Sequence, residues 1–471
     1  MAFHSMALQG FRGFGFTQTM TFAIPNGLPG SGITIIVGPN NSGKTTIIEA
    51  FRAVSMRMQP GPSITEGRRN KSTDAVEIQL FDEAGNSVTL KSVKPGGSET
   101  QFSENGLSRK DLNVFVVRSR RAFSPKFMKG GYTRETLLNN DSIGAIRGEN
   151  YNSFYQRLFQ IQLDPAAFNE LLNKVIDPVP HWTIDQTDFG DYYVKFNFDG
   201  HIHNSDGAGE GLLSVFTIID AFYDSKPGDV IVIDEPELSL HPSLQRNICS
   251  LLKKLSADRQ IVIATHSPFF VDWESFISGG NIVRVIKEGG SSIIHEIDGS
   301  LRSKIKALFD NRNNPHILGL DAREIFFLSD NILLVEGQED VVFFKRLTEV
   351  LAVYLRPAIY GWGIGGAGNM DTILRLLKSL GFKKVSCVLD NNMQYLATNL
   401  QTSFKHYKIF VQPADDIRDK NPTSVKRAVE GLMDSNGNNV KPQYEKAARA
   451  LLAQINEFHS QSAGLEVGKD S

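Results

Sequence analysis

Apolar positions along this chain fall into two kinds of run. Residues 33–37, 114–117, 230–233, 260–264, 331–335 and 384–389 are nearly unbroken apolar stretches bounded by turn residues, the pattern of strands buried on both faces. Residues 76–80, 87–91 and 192–198 alternate apolar and polar positions, as strands with one solvated face do, and the first two read as a hairpin around 83–86. Helical periodicity runs through 46–51, 151–176, 212–219 and 243–255, then through 341–353, 370–380, 394–404 and 442–458. From 331 to 411 strands and helices alternate regularly, which predicts a parallel sheet with ligand positions at the carboxyl ends of its strands. The expected division is a domain over 1–300, a polar linker over 301–330, a second α/β domain over 331–420 and a helical tail over 421–471.

The first apolar run leads into Gly38-Pro39-Asn40-Asn41-Ser42-Gly43-Lys44-Thr45, followed by the helical stretch that opens with Thr46. Strand, glycine-rich loop and helix in that order make a phosphate-binding loop. Gly38 and Gly43 let the backbone curl so that its N–H groups face phosphate oxygens, and the helix N-terminus adds positive potential. Lys44 reaches the β- and γ-phosphates, and the Thr45 hydroxyl ligates Mg²⁺. A chance glycine turn is the bland alternative, but every position of the pattern matches in its required context. The chain is expected to bind a nucleoside triphosphate.

A second polar, glycine-rich turn, Asn204-Ser205-Asp206-Gly207-Ala208-Gly209, opens the apolar helix that follows it. The buried run at 230–233 then ends in Asp234-Glu235-Pro236-Glu237. Asp234 stands where a Mg²⁺ partner is needed, and Glu235 where a base polarises the attacking water. The run at 260–265 ends at His266-Ser267-Pro268.

Composition narrows the class without naming an activity. The 471 residues are 41% hydrophobic and 22% charged with a net charge of −2, ordinary for a globular protein of two or three domains. Such a balance leaves any nucleic-acid surface to local patches. Cys249 and Cys387 lie far apart in apolar patterns and read as reduced core thiols. No apolar run approaches ~18 residues and the N-terminus lacks a signal-like core, so a cytoplasmic protein without a membrane span is expected. His201 and His203 have no neighbouring Cys or His pair and read as strand-edge residues rather than a zinc site.

In the second half, the run at 331–335 ends in Glu336-Gly337, with Asp340 in the first turn of the next helix, and the run at 384–389 ends in Asp390-Asn391-Asn392. Glu336, Asp340 and Asp390 all fall at strand ends, and carboxylates gathered in this way call for divalent cations.

The order of parts over the first half resembles the ABC-type ATPase head of recombination and chromosome-maintenance ATPases. The matching segments are the phosphate loop at 38–45, a signature at Ser205-Asp206-Gly207, the acidic strand at 230–235, the segment 238–242 and the switch His266. That resemblance implies a head-to-head homodimer holding ATP between one chain's phosphate loop and the other's Ser205 and Gly207. It also implies Arg12, in a turn similar to the family's N-terminal Phe-Arg motif, as an additional nucleotide contact. DNA-bridging relatives carry long coiled coils between loop and signature, whereas residues 46–204 here hold no sustained heptads.

The second half resembles a TOPRIM domain, and the joined whole resembles the OLD-family ATPase–nucleases, which include Gabija-type and retron-associated defence effectors. The resemblance covers roughly residues 1–420. It implies an α/β protein with an N-terminal ABC-type P-loop ATPase head followed by a Rossmann-like parallel-sheet TOPRIM domain. It further implies a metal-dependent DNA endonuclease using ATP and Mg²⁺, with Mn²⁺ as an alternative at the TOPRIM site. A homodimer or higher oligomer, and a partner such as a helicase or reverse transcriptase, also follow from it. The family pattern has Asp-x-Asp at the second acidic strand end; here Asn392 replaces the later aspartate, keeping an amide oxygen for the metal but losing a charge. Asp415, Asp416, Asp419 and Lys420 are candidates to complete the site. A non-cleaving ATPase sensor or scaffold with a decayed TOPRIM domain remains the alternative, and a DNA-repair clamp a third.

Two features stand apart. Residues 112–134 contain no acid but carry Arg118, Arg120, Arg121, Lys126, Lys129 and Arg134 among aromatics, which suits phosphate contact and base stacking, or else a nucleotide or subunit interface. Gly363-Ile364-Gly365-Gly366-Ala367-Gly368 matches a dinucleotide fingerprint with an acid about 20 residues on. The Glu336–Asp340 unit before it has no place in a NAD-binding reading.

Overall fold

The computed structural model describes residues 2–55, 61–64, 67–109, 112–119, 133, 146–147, 151–198, 200–204, 209–311, 314–328, 330–420 and 428–460. It forms two units, Met1–Glu296 and Ile297–Ser471.

Ile33–Val37 is buried at every position because it lies inside a seven-stranded sheet. The spatial order of that sheet is 291–296, 281–288, 33–37, 260–264, 230–234, 114–117, 146–147. All neighbours are parallel except the hairpin that joins 281–288 to 291–296. In this register Ala264 sits beside both Asp234 and Ile36. The phosphate loop, the acidic run and His266 therefore all leave at the carboxyl ends of adjacent parallel strands.

Lys44–Ser55, the helix after the loop, is buried on more than one face. Ile47, Ile48, Phe51 and Val54 share a core with Val116, Val232 and Val262 of this sheet. The same core takes Met6, Leu8, Ile78 and Leu90 from a five-stranded antiparallel sheet ordered 18–21, 3–9, 77–82, 87–92, 100–105. A helix pinned between two sheets holds its N-terminus, and so the loop, rigidly; truncating Phe51 to Ala would cost about 3–5 kcal/mol. The stretch expected as one helix over 151–176 is two, Tyr151–Ile161 and Ala166–Asn173, interrupted before Pro165.

The second unit has a four-stranded parallel sheet ordered 358–359, 332–334, 385–389, 408–411. In chain order this is 2-1-3-4, so the winding reverses between 332–334 and 385–389, where an open α/β sheet leaves its ligand crevice. The two parts outside the expected domain are built into it. Residues 301–330 hold the helices Arg302–Phe309 and Leu320–Arg323, with Ile305, Ile317, Leu318 and Phe326 buried. The terminal helix Pro442–Ser460 lays Ala448, Leu451, Leu452 and Ile455 into one core with Leu333, Val388 and Phe410. Polar residues set the composition of 301–330, but its apolar positions recur at helical spacing, and that spacing prevails.

Among the described residues no helix is long and apolar enough to cross a membrane. Cys387 is a buried free thiol. His201 and His203 lie on an exposed edge strand of a three-stranded sheet.

Candidate functional sites

The phosphate loop is shaped by positions that exclude a side chain. Gly38 has φ 141°, and a Cβ there would meet the Val285 carbonyl oxygen at 2.1 Å. Gly43 has φ 118°, and its Cβ would meet Ser292 Oγ at 2.5 Å. Ser292 Oγ donates to the Ser42 carbonyl at 2.6 Å, and Ser292 N–H donates to the Gly13 carbonyl at 2.7 Å. The loop is thus laced to the 291–296 strand and to the turn after the first strand.

Lys44 is buried and donates to the carbonyls of Gly38 and Pro39, both at 2.9 Å. Burial pushes its ammonium down to about 8, and the negative charges of Asp234, Glu235 and Glu237 oppose that. Thr45 Oγ1 donates to Asp234 Oδ1 at 3.4 Å. Ser42 Oγ is buried with no partner among the described residues. A buried cation and an orphaned hydroxyl in a loop of backbone N–H groups fit a triphosphate.

Asn40, Asn41, Ser42, Gly43, Lys44, Thr45 and Thr46 line an open cavity of about 650 Å³ with Glu235 and His266 across from them. Glu235 holds φ 49°, which few side-chain-bearing residues adopt, with its N–H donating to Ala264 O at 2.7 Å. His266 Nε2 lies 3.8 Å from Glu235 Oε1. Burial, then the Lys44 charge, pushes the imidazole down to about 4, so it is neutral at pH 7.

Sequence reasoning passed over Glu237, Lys287 and Ser292. Glu237 is half-buried; it accepts the His266 backbone N–H at 2.5 Å and the Thr265 hydroxyl at 2.8 Å, and desolvation pushes its carboxyl up. Its signal was present as the last acid of the run from Asp234 to Glu237. Lys287 and Ser292 line the cavity from a distant hairpin, and only the fold brings them there.

Arg12, with φ 48°, faces Glu49 at 3.6 Å rather than lining the cavity, which its neighbour Gly13 does. Arg52 at 3.2 Å and Arg118 at 2.9 Å pair with the same buried Glu49. Ser205 and Gly207 lie outside the described residues, as do Arg120, Arg121, Lys126, Lys129 and Arg134.

In the second unit, Glu336 leaves the strand 332–334 and Asp390 leaves 385–389, the pair that flanks the winding reversal. The Asp390 backbone N–H donates to Glu336 Oε1 at 3.1 Å. Asp340 accepts the Gly337 N–H at 2.8 Å and so caps the helix Gln338–Val350. The three carboxyls disturb one another. Burial, then Glu336, Asp340 and Asp416, pushes Asp390 up to about 8. Burial, with Glu336 and Asp416 behind it, pushes Asp340 up to about 6, and Glu336 rises too, chiefly by burial.

Of the candidates expected to complete this centre, Asp416 and Lys420 act on it. Lys420 Nζ bonds Asp416 Oδ2 at 2.5 Å and Glu339 Oε2 at 3.1 Å, and its charge favours the ionised forms of Glu336 and Asp340. Asp419 turns to Lys441 at 2.6 Å and Asp415 to the Asn391 amide at 3.2 Å. Asn392 is exposed in the turn Asn391–Met393. Among the described residues no three His, Cys, Asp or Glu side chains already close around one point. The donor set nonetheless fits a hard divalent cation: all oxygen, excess negative charge, and repulsion that a cation relieves.

The dinucleotide-like glycines answer to packing. Gly363 has φ 83°, and a Cβ there would lie 2.6 Å from the Gly337 backbone; Gly366 N–H donates to the Glu336 carbonyl at 2.8 Å. The loop braces the turn that carries Glu336.

Three family models match. An AAA domain covers residues 5–173, the AAA domain described as putative AbiEii toxin, Type IV TA system, covers 119–272, and the TOPRIM domain of overcoming lysogenization defect protein-like proteins covers 327–391. An OLD nuclease of Thermus scotoductus is 26% identical over 420 residues, spanning 75% of this chain and 77% of that protein. Endonuclease GajA of Bacillus cereus is 25% identical over 169 residues, 34% of this chain and 27% of its own length. A solved SMC head bound to the C-terminal winged-helix domain of ScpA covers 64% of this chain at 16% identity, with a TM-score of 0.43. One polypeptide thus matches AAA ATPase domain models over its first unit and an OLD-like TOPRIM domain model over 327–391, and in that pairing it is similar to the OLD nucleases.

Proposed function

We propose that this chain is an ATP-hydrolysing, metal-dependent DNA endonuclease of anti-phage defence, in which the nucleotide state of the head regulates cleavage by the TOPRIM domain. The observation that carries the reading is the set of mutually repelling carboxyls, Glu336, Asp340 and Asp390, at the winding reversal of the second sheet. The names of its relatives, an OLD nuclease and an endonuclease, support it.

In the head, Lys44 exchanges the carbonyls of Gly38 and Pro39 for β- and γ-phosphate oxygens, whose negative charge offsets the cost of burying its ammonium. Thr45 and Asp234 stand together for Mg²⁺. Glu235 takes the proton of the attacking water, and neutral His266 orients it, held in place by Glu237. Ser205 and Gly207 of a second copy close over the γ-phosphate, making a homodimer the working unit. Arg12 joins the nucleotide only by leaving Glu49.

In the TOPRIM domain, Glu336, Asp340 and Asp390 would hold Mg²⁺ or Mn²⁺, which when bound polarises the scissile phosphate and lowers the pKa of the attacking water. Lys420 neutralises Asp416 and Glu339 beside them and offers a cation to the DNA backbone. Exposed Asn392, and carboxyls that do not already close around one point, favour as second reading an ATPase scaffold that cuts weakly or through a partner. Incubation of plasmid DNA with Mg²⁺ or Mn²⁺, with and without ATP, separates the two: nicked or linear product is expected, and none under any condition leaves the scaffold.

A further inference from the structure

At the end of the strand Lys408–Val411, the Gln412 backbone N–H donates to the Leu389 carbonyl at 2.9 Å, so Gln412 lies abreast of the strand end that carries Asp390. Its side chain is 2% exposed, and its Nε2 donates to Asp390 Oδ1. Once a cation holds Asp390 ionised, its carboxylate only accepts hydrogen bonds, so the Gln412 amide keeps its NH₂ turned toward Asp390. That leaves Gln412 Oε1 buried with no donor among the described residues. A buried amide oxygen without a partner is costly and uncommon, and a cation is one partner that satisfies it. Asn392, the amide expected to stand in for a missing carboxylate, is instead exposed in its turn.

Resting on the reading of the carboxyls as a cation site, we propose that Gln412 Oε1, and not the Asn392 amide, supplies the neutral oxygen ligand to the divalent cation held by Asp390. The same side chain then does two things with its two amide atoms. Nε2 fixes the rotation of Asp390, and Oε1 meets the ion, which accepts amide oxygen beside carboxylate as a hard cation does. The charge absent at residue 392 is not replaced, so the site works with three carboxylates and one amide.

The test reads cation binding rather than cleavage. Mn²⁺ is titrated into nucleotide-free protein, with free Mn²⁺ followed by electron paramagnetic resonance and thermal melts in EDTA as the folding control. Gln412→Leu is expected to weaken Mn²⁺ by about 10- to 100-fold. Gln412→Glu, which keeps an oxygen at that place, should bind at least as tightly as the parent, and Asn392→Ala should match the parent. Parental affinity in Gln412→Leu, a loss in Gln412→Glu like that in Gln412→Leu, or weakening by Asn392→Ala instead overturns the assignment. Should Gln412→Leu fail to fold in EDTA, the Gln412→Glu and Asn392→Ala arms decide it alone. A parent that binds no Mn²⁺ overturns the cation site itself together with this ligand, whereas a parent that binds and cuts while the Gln412 variants match it overturns only the ligand.

Discussion

The backbone N–H of His266 donates to Oε1 of Glu237 at 2.5 Å, tying the histidine at the end of one strand to the acidic run at the end of its neighbour. The second oxygen of Glu237 takes the Thr265 hydroxyl, so one half-buried carboxylate sets the exit path of the chain from strand 260–264. Glu237→Ala leaves two partly buried donors without this acceptor and is expected to cost about 1–2 kcal/mol of head stability. It should also lower ATP hydrolysis more than ATP affinity, because His266 moves while Lys44 does not. Equal losses in the two quantities, or an unchanged melting temperature, would count against this role.

Glu235 and Lys44 separate catalysis from binding. Glu235→Gln keeps the shape of the cavity wall and removes only the base, so hydrolysis should fall by about 10²-fold or more with nucleotide still bound, and an ATP-held dimer should accumulate. Lys44→Ala removes the buried cation and should abolish binding. Fluorescent-nucleotide binding and phosphate release measured on both variants check the split; parental turnover by Glu235→Gln would remove Glu235 from the base role.

Much of this head was legible in the sequence because its chemistry is local. A strand, a loop and a helix that are consecutive in the chain make the phosphate site, and the acids of the second strand end are consecutive too. Ser292, which bonds the Ser42 carbonyl from a hairpin some 250 positions away, leaves no such trace. In the second unit the strand ends carrying Glu336 and Asp390 were readable, since alternation of strands and helices makes the strands parallel and puts their carboxyl ends side by side. The choice of Asp416 and Lys420 over Asp415 and Asp419 was not, because all four sit in one short acidic run and only side-chain direction sorts them. Gln412 escaped for a different reason: an amide after an apolar strand carries no motif, and its meaning lies in the carboxylate it faces.

The glycine loop at 361–368 allows a clean contrast. Gly363→Ala would place a Cβ 2.6 Å from the Gly337 backbone at φ 83°, whereas a Cβ at Gly368 meets nothing within 4 Å. Gly363→Ala is therefore expected to lose at least about 1–2 kcal/mol through backbone strain, and to disturb the turn that carries Glu336. Gly368→Ala should be neutral in both stability and cleavage. Thermal melts suffice for the first comparison. Sensitivity at Gly368 would favour a phosphate held by the third glycine, as in a dinucleotide site.

The carboxyl cluster makes stability depend on pH with a defined sign. Asp340 and Asp390 titrate near 4 when unfolded but at about 6 and about 8 when folded. The folded state binds these protons more tightly, so their contribution is complete below about pH 4 and is lost as pH rises through about 6 and then about 8. In EDTA the melting temperature of the second unit should fall from pH 5 to pH 9, and Asp390→Asn should flatten the upper part of that fall. Added Mg²⁺ favours the ionised forms, so its stabilisation should grow over the same range. A flat profile in EDTA would contradict the mutual repulsion.

Cleavage and ATP hydrolysis should come apart at Asp390. The residue sits at the end of a strand in the second unit, while every residue lining the nucleotide cavity belongs to the first. Asp390→Ala removes a carboxylate from the cation site and takes away the acceptor that orients Gln412, so DNA cleavage should drop by more than the 10- to 100-fold typical of losing a supporting contact. ATP hydrolysis should stay near the parental rate, since Lys44, Asp234 and Glu235 are untouched. Asn392→Asp should retain cleavage, because residue 392 stands exposed rather than against Asp390. The assay is nicking of supercoiled plasmid across a series of Mg²⁺ and Mn²⁺ concentrations, run beside phosphate release for parent and both variants. With three carboxylates and one amide as its proposed ligands, the parent is expected to cut better in Mn²⁺ than in Mg²⁺, as Mn²⁺ binds a given donor set more tightly and demands less of its geometry. If Asp390→Ala cuts as the parent does, the activity belongs elsewhere in the chain. If the parent cuts nothing and Asp390→Ala still protects cells from phage, the domain serves as a scaffold.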